Sequence, residues 1–480
     1  MATLSSLGVG AGIDSESIVT QLVALEKAPV EKIQTETTKL ETKLSTWGRV
    51  QSAFSALKDA SAALNKDSFW KATTATSSDS AAVSVTSSAG TPAGAYSVNV
   101  SSLATAQFIS SAAYTDKTSV VGDGSLKITF GTYESDGGDP PAITFSAKAA
   151  AAAIDITISP GDNTLEKIRD RINAANAGVT ASLVTDAAGT RLVMRGPNGE
   201  TNGFKVEVTE GTTAGLSALA FDGSTGGGTS NMVSNQSAAN AKATINGIEI
   251  SSESNTLTDV LDGLTLQLNK VTTSAVDVSV ADDTTSIKAG IEAFKTAYND
   301  LVGLIRVQTL YDQDSQTAGP LQGDSTATGL LRQIRTLAGT TTSASSTFNR
   351  LSAIGFDIGT DGTLSLNSTK LDTAMKNLPE LQKFFSNDDT DASAQGIAQR
   401  FQDLASQIVD TDGIISTRQE GIKATIKRND QKIERLEDRV ALIEARLRKQ
   451  YSALDTSMGS LTALQSYVTA QLAAMSNSSS

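Results

Sequence analysis

Apolar positions recur at helical spacing near both ends of the chain and alternate in the middle. Ile18, Leu22 and Leu25 begin a helical ladder, which Pro29 is expected to interrupt because proline lacks the amide donor and clashes with the preceding turn. A second run holds Ile33, Leu40, Trp47, Val50, Phe54, Leu57 and Leu64, in steps near three and four. The C-terminal run is longer. Ile426, Ile433, Val440, Leu447, Leu454, Leu461 and Val468 share one heptad position, and Leu436, Ile443 and Leu464 share the other. A seven-residue repeat held this long implies a coiled-coil seam. Asn429, Gln450 and Ser457 are polar members of the second row, which implies either register control or weak spots in the coil.

Between Lys71 and Asp283 the pattern changes to period two, as in Tyr96-Ser97-Val98-Asn99-Val100 and Leu264-Thr265-Leu266-Gln267-Leu268. Such runs, bounded by Gly and Asn, predict antiparallel strands. One helix interrupts them from Thr164 to about Ala175, with Leu165, Ile168 and Ile172 on one face and Asn163 or Thr164 as its cap. Gly-rich stretches at 136–139 and 223–228 predict loops. Ile287, Ile291, Phe294, Tyr298, Leu301 and Ile305 mark a further helix. A hairpin is expected over Ile354–Leu366, turning at Asp361-Gly362, then one helix from Ser368 to Phe385.

The fold class that follows is α+β multidomain. Paired N- and C-terminal segments form a helical coiled-coil stalk, next to a helix-rich inner domain, with β-rich outer domains inserted in the middle. The expected borders are 1–45 with 425–480 for the stalk and 46–71 with 283–424 for the inner domain. A β-rich domain covers 72–115 with 239–282, and a variable β-rich outer domain covers 116–238.

Composition narrows the chemistry. The 480 residues include no Cys and no His, which removes disulfides, Cys/His metal sites and every Ser-His-Asp arrangement. No cofactor or metal site is expected, and no carboxylate pair stands in a context for acid–base catalysis. A net charge of −13 argues against nucleic acid as a partner. No apolar run reaches the ~18 residues of a membrane span, and no cleavable signal peptide is read at the N-terminus. Gly8, Gly10 and Gly12 fail the dinucleotide pattern because Ile13 stands where the fingerprint departs and no strand precedes them. The stretch Asp357–Ser368 fails as a calcium loop because Gly359 and Ser368 replace two ligands. The basic stretch Arg418–Lys449 is interleaved with Glu434, Glu437 and Asp438, as on a solvated coil face.

Several segments in order resemble the flagellar filament cap family, also called hook-associated protein 2. They are Gly8–Asp14 with Ser17–Leu22 and Pro29; Gly94–Val100 with Leu103–Gln107; Thr164–Asn173 with Gly178–Ser182; Asn246-Gly247, Asn255 and Gly263–Leu266; Leu351–Phe385; and Tyr451, Leu454, Met458 and Gln465–Val468. The resemblance implies a non-enzymatic protein, exported by the flagellar type III route to the distal filament tip. There it forms a homo-oligomeric ring, a pentamer or hexamer, and promotes insertion and polymerisation of exported flagellin. Implied partners are further copies of itself, flagellin, hook-filament junction proteins and a flagellar export chaperone, without nucleic acid or membrane insertion. A flagellin-like or junction protein is the neighbouring alternative, and adhesion of the β-rich middle to host mucin or glycans is a secondary role. Expected oligomer or flagellin contacts are Ile13, Ile18, Leu22, Leu25, Leu454, Met458, Leu461, Leu464 and Val468. Expected stalk packing uses Ile33, Leu40, Trp47, Ile426, Ile433, Leu436, Val440, Ile443 and Leu447.

Overall fold

A computed structural model describes residues 14–138, 143–149, 151–223, 230–314 and 316–477. Ile13, Asp139 and most of the 223–228 loop lie outside the described residues. The chain forms two compact units, one of residues 1–70 with 285–480, the other of 71–284.

The chain order begins with α1 (Ser15–Leu64) and the one-turn α2 (Asp67–Trp70). α1 runs unbroken through Pro29, contrary to the expected interruption. Pro29 and Leu25, whose carbonyl loses its donor, are both exposed, so water can satisfy what the missing amide leaves.

The second unit holds two cores. The first is built from β1 (Thr73–Ser77), β2 (Val83–Ser87), β3 (Gly94–Ser102) and, later in the chain, five strands from Ala241 to Asp282. Between these segments come β4 (Ala106–Ser110), β5 (Gly124–Ser135), β6 (Ile143–Ala147), β7 (Ile154–Ile158), α3 (Leu165–Ala174), β8 (Thr180–Asp186), β9 (Gly189–Asn198), β10 (Gly203–Glu210) and β11 (Val233–Gln236). The chain then returns through β12 (Ala241–Ile245), β13 (Ile248–Ser252), β14 (Thr256–Leu261), β15 (Leu264–Leu268) and β16 (Val276–Asp282).

A five-stranded sheet, β1-β16-β3-β12-β13, and a three-stranded sheet, β14-β15-β2, enclose Val83, Val98, Val100, Ile245, Leu266 and Val278. Period two explains this burial: Val276, Val278 and Val280 of β16 are buried and the residues between them are exposed. The β12–β13 hairpin turns at Asn246-Gly247, both with positive φ (50° and 84°), as a tight two-residue hairpin requires. Asn255 clamps Ala104 from both sides, accepting from its amide at 2.6 Å and donating to its carbonyl at 2.9 Å.

In the second core, two four-stranded sheets and α3 bury Ile109, Leu126, Ile128, Ile168, Met194 and Phe204. α3 packs Leu165, Ile168 and Ile172 inward, at the spacing the sequence shows. Its cap differs from expectation. Thr164 makes no side-chain capping bond; the carbonyls of Ser119 and Lys117 accept from Leu165 and Glu166 N–H instead. A distant loop therefore satisfies donors that helix starts leave open. Nearby, hydrogen bonds from Thr213 and Thr212 hold the Asp123 carboxyl at about 2, well below its ordinary range.

The first unit resumes with α4 (Thr284–Thr309), β17 (Tyr311–Asp312), β18 (Thr317–Ala318), α5 (Ser325–Ala338), β19 (Phe356–Ile358), β20 (Leu364–Leu366), α6 (Ser368–Ala374), α7 (Leu378–Ser386), α8 (Ile397–Val409) and α9 (Ile414–Asn477). The stripe Ile287, Ile291, Phe294, Tyr298, Leu301 and Ile305 on α4 is wholly buried. Asn299 ties α4 to the β19–β20 hairpin, donating to the Leu364 carbonyl at 2.8 Å and accepting its amide at 2.7 Å. The single helix expected over Ser368–Phe385 is two helices joined by a tight turn at Met375–Asn377. Pro379 sits in the first turn of α7, where its missing N–H costs nothing, whereas one continuous helix would place it inside. Among the described residues no helix is long and apolar enough to cross a membrane.

Candidate functional site

The joined chain ends form the site. α1 and α9 pack along one another, and Asp14 caps α1 by accepting the Ser17 amide at 3.0 Å. Two residues on, Glu16 receives both terminal nitrogens of Arg448, at 2.8 and 2.9 Å, while Arg448 Nε donates to Glu444 at 2.9 Å. The two carboxylates, Glu16 first, push the guanidinium pKa above its ordinary value. This forked pairing fixes the alignment of α1 against α9, although its exposure limits what it adds to stability.

Behind the ion pair, Val19 and Val23 pack against Val440, Leu447 and Tyr451. The seam continues through buried Val30, Ile33 and Thr37 and half-buried Leu40. Thr37 accepts from the Asn429 amide at 3.2 Å, and Gln419 donates to Gln51 at 3.1 Å. Polar members of the seam thus meet polar members, so a shift of one helix along the other would leave them against apolar neighbours. At its far end the seam merges into the helical core at Trp47, Val50, Phe54, Ile415 and Ile422, with Ile426 packed at its edge.

Of the residues expected in the stalk, Trp47, Ile33 and Val440 are buried, and Leu40, Ile426, Ile433, Leu436, Ile443 and Leu447 are half-buried. Of the expected contact residues, Ile18 and Met458 are half-buried. Leu22, Leu25, Leu454, Leu461, Leu464 and Val468 are exposed. Val19 and Val23, the residues of this end that face α9, were not singled out by the sequence reading. Their signal was present: stepping back from Ile33 by three and four gives Val30, Glu26, Val23 and Val19, with only Glu26 out of character.

α9 continues beyond the point where α1 begins. From Leu454 to Leu472 its apolar row is uncovered among the described residues, with Leu461 and Leu464 each 58% exposed. The residues from Thr456 to Asn477 carry no charge, whereas the covered stretch before them is dense with Lys, Arg, Asp and Glu. A bare apolar row with neutral flanks is a surface made to be packed, not solvated.

Paired terminal helices with an apolar row uncovered among the described residues, and a β-rich unit inserted between them in the sequence, set the architecture of this chain. Family models described as flagellar hook-associated protein 2 N-terminus and C-terminus match residues 11–107 and 238–463, and a flagellin hook IN motif matches 142–196. Flagellar hook-associated protein 2 of Escherichia coli (strain K12) is 32% identical over 489 residues, covering 100% of both chains. The B-type protein of the same name from Pseudomonas aeruginosa is 30% identical, covering 98% of each. The crystal structure of the flagellar cap protein FliD D1-D2-D3 domains from Escherichia coli superposes with a TM-score of 0.64 at 29% identity, over 79% of this chain and 99% of that one. The chain belongs to the flagellar hook-associated protein 2 family.

Proposed function

We propose that this chain is exported to the outside of the cell, caps the distal tip of the flagellar filament as a ring-like homo-oligomer, and promotes insertion and polymerisation of flagellin beneath it. The observation that carries this reading is the uncovered, uncharged apolar row beside the α1–α9 pair. A row of this kind gains stability only when another helix covers it. At a filament tip the available helices belong to neighbouring copies, to flagellin and to hook-filament junction proteins, and before export to a chaperone. Ile18, Leu22 and Leu25 add a second apolar face at the same end, offered by α1. Neutral flanks suit contacts that form and release repeatedly, because no ion pair has to be broken at each step. A cap must also stop growing, so copies meet head to tail around a closed ring instead of an open helix.

Deleting this chain in the producing bacterium is expected to move flagellin from filaments into the culture medium, and restoring it to reverse the change. Filaments of normal length without it would overturn the assignment.

A secondary adhesive role rests on a cleft of about 560 Å³ in the β-rich unit, lined by Gln107, Tyr133, Phe221, Asn240 and Lys242 among others. Exposed Lys242 and Glu200 on its lining offer a hydrogen-bond donor and acceptors of the kind sugar hydroxyls take. Saturable binding of mucin glycans by the full chain, weakened by Lys242→Ala at the exposed part of the lining, is the expected result. Binding that does not saturate, or that ignores the substitution, removes this role.

A further inference from the structure

We infer that loop 252–255 is a strap fastening the second core of the β-rich unit to the first, with Glu253 as its latch. Latched, the two cores hold one angle. Released, the second core turns about the chain crossings, and the cleft between the cores changes width. The inference concerns how that cleft is held, and it stands whether or not the cleft takes a glycan.

The hinge lies in the crossings. The chain passes from the first core to the second at 102–106 and returns at 236–241. The two crossings run side by side. The Thr105 amide donates to the Ala239 carbonyl at 2.9 Å, and the Ala239 amide donates to the Thr105 carbonyl at 3.1 Å. A connection of a few residues is the usual form of a hinge between two packed bodies.

The strap grips in two places. Loop 252–255 joins β13 to β14, both in the first core. Asn255 holds the amide and the carbonyl of Ala104, on the outgoing crossing. Glu253 reaches further, to the corner between β9 and β10 in the second core. Its carboxylate accepts from the Thr201 hydroxyl, from Asn202 Nδ2 at 3.2 Å and from Lys148 Nζ at 3.4 Å. Lys148, just after β6, also donates to Asn202 Oδ1 at 2.8 Å. The Thr201 hydroxyl first, then Lys148 and Asn202, hold the Glu253 carboxyl below its ordinary range, so it meets its three donors ionised. Loop and corner are in direct contact: a methyl group on Gly199 would stand 2.5 Å from Glu253 Cβ.

The gripped corner is one wall of the cleft. Glu200, Gly203 and Tyr133 line it from the second core, and Ser102, Asn240 and Lys242 from the first. Asn240 accepts from the Glu200 amide at 2.8 Å, but it belongs to the returning crossing. Glu253 stands on neither crossing and ties the corner to the body of the first core. It is exposed, so its bonds can break and remake without unfolding either core.

The chain lacks cysteine, so two introduced thiols can carry spin labels that read the angle between the cores. Ala187→Cys, on the exposed turn between β8 and β9, and Glu249→Cys, exposed on β13, place one label on each core. The labelled full chain, diluted with unlabelled chain, is measured by pulsed electron resonance with and without Glu253→Gln. Glutamine keeps the shape of the latch but brings a donor to a point where three donors converge. The expected result is a single narrow distance in the parent and a distribution roughly twofold broader in Glu253→Gln, as for a freed hinge. Amide protection in β5 and in β16 is expected to stay unchanged. Equal widths with and without the substitution overturn the latch. Broadening together with lost protection in either core is unfolding and overturns the hinge. Equal broadening by Glu207→Gln, which removes an exposed ion pair with Lys205 inside the second core, overturns the assignment to Glu253.

Discussion

Truncating Phe401 to alanine is expected to destabilise the helical unit by about 3–5 kcal/mol, the range for emptying a buried aromatic site. Phe401 on α8 is fully buried, with its ring 5.2 Å from Phe294 and 5.9 Å from Tyr298, both on α4 and both near-perpendicular to it. Phe294 in turn meets Phe356 of β19 edge-on at 6.5 Å. One ring thus joins two helices, and through Phe294 the hairpin. Edge-to-face pairs add about 0.5–1.5 kcal/mol beyond area burial, so the upper part of the range is expected. Aromatic residues are only 5% of this chain, which leaves few side chains able to collapse into the space. Trp47 and Trp70, the two tryptophans of the chain, both lie in this unit. Denaturant titration followed by tryptophan emission therefore reads it alone. A loss below about 1 kcal/mol would show that this cluster is not the centre of the helical core, since such a loss is typical of ordinary surface-adjacent substitutions.

The parts of the fold that were legible in the sequence are those where a single period decides the outcome. The α4 stripe from Ile287 to Ile305, the alternating strands and the α3 face Leu165–Ile168–Ile172 were all visible, because burial on one face imposes spacing directly. The hairpin at Asp361-Gly362 was legible for another reason: Gly362 has φ 86°, and Asp361 accepts from the Thr363 amide at 3.1 Å. What was not legible depended on atoms distant in sequence. Nothing near Thr164 announces that Ser119 and Lys117 will cap α3. Pro29 carries the same local signal as Pro379, yet one lies inside a continuous helix and the other starts a new one. The difference is whether the freed carbonyl reaches water, which only the packed structure decides. At the joined ends, the choice between Ile18–Leu22 and Val19–Val23 as the inner face was a one-residue rotation. Both pairs are apolar, and α9 settles the choice by packing against the valines. The α1 end is thus apolar on two faces, with Val19 and Val23 buried, Ile18 half-buried and Leu22 exposed.

Replacing Gly124 with alanine is expected to destabilise the β-rich unit by about 3 kcal/mol or more, through strain and overlap acting together. Gly124 opens β5 with φ 142°, a region that residues with a side chain rarely occupy. β5 is paired on both sides there, since Gly124 lies opposite Glu210 of β10 and Ile158 of β7. A methyl group at this position would stand 2.1 Å from the Thr209 carbonyl oxygen and 2.8 Å from the Gly211 nitrogen. These are backbone atoms of a paired strand and cannot swing aside as a flexible side chain would. Just beyond them, Asp123 accepts amide bonds from Thr212 and Thr213, so relief at Gly124 would come at the cost of that tether. Gly247 provides the comparison. It also has positive φ, at 84°, but a methyl group there would meet nothing within 4 Å. Gly247→Ala is therefore expected to cost only the backbone term, about 1–2 kcal/mol. Amide exchange across β5 and β10 for Gly124→Ala, and across β12 and β13 for Gly247→Ala, measures each variant in its own sheet. A larger loss of protection for Gly124→Ala than for Gly247→Ala assigns the excess to overlap with β10. Equal losses would mean that the strand corner yields, and that backbone conformation alone holds glycine at this position.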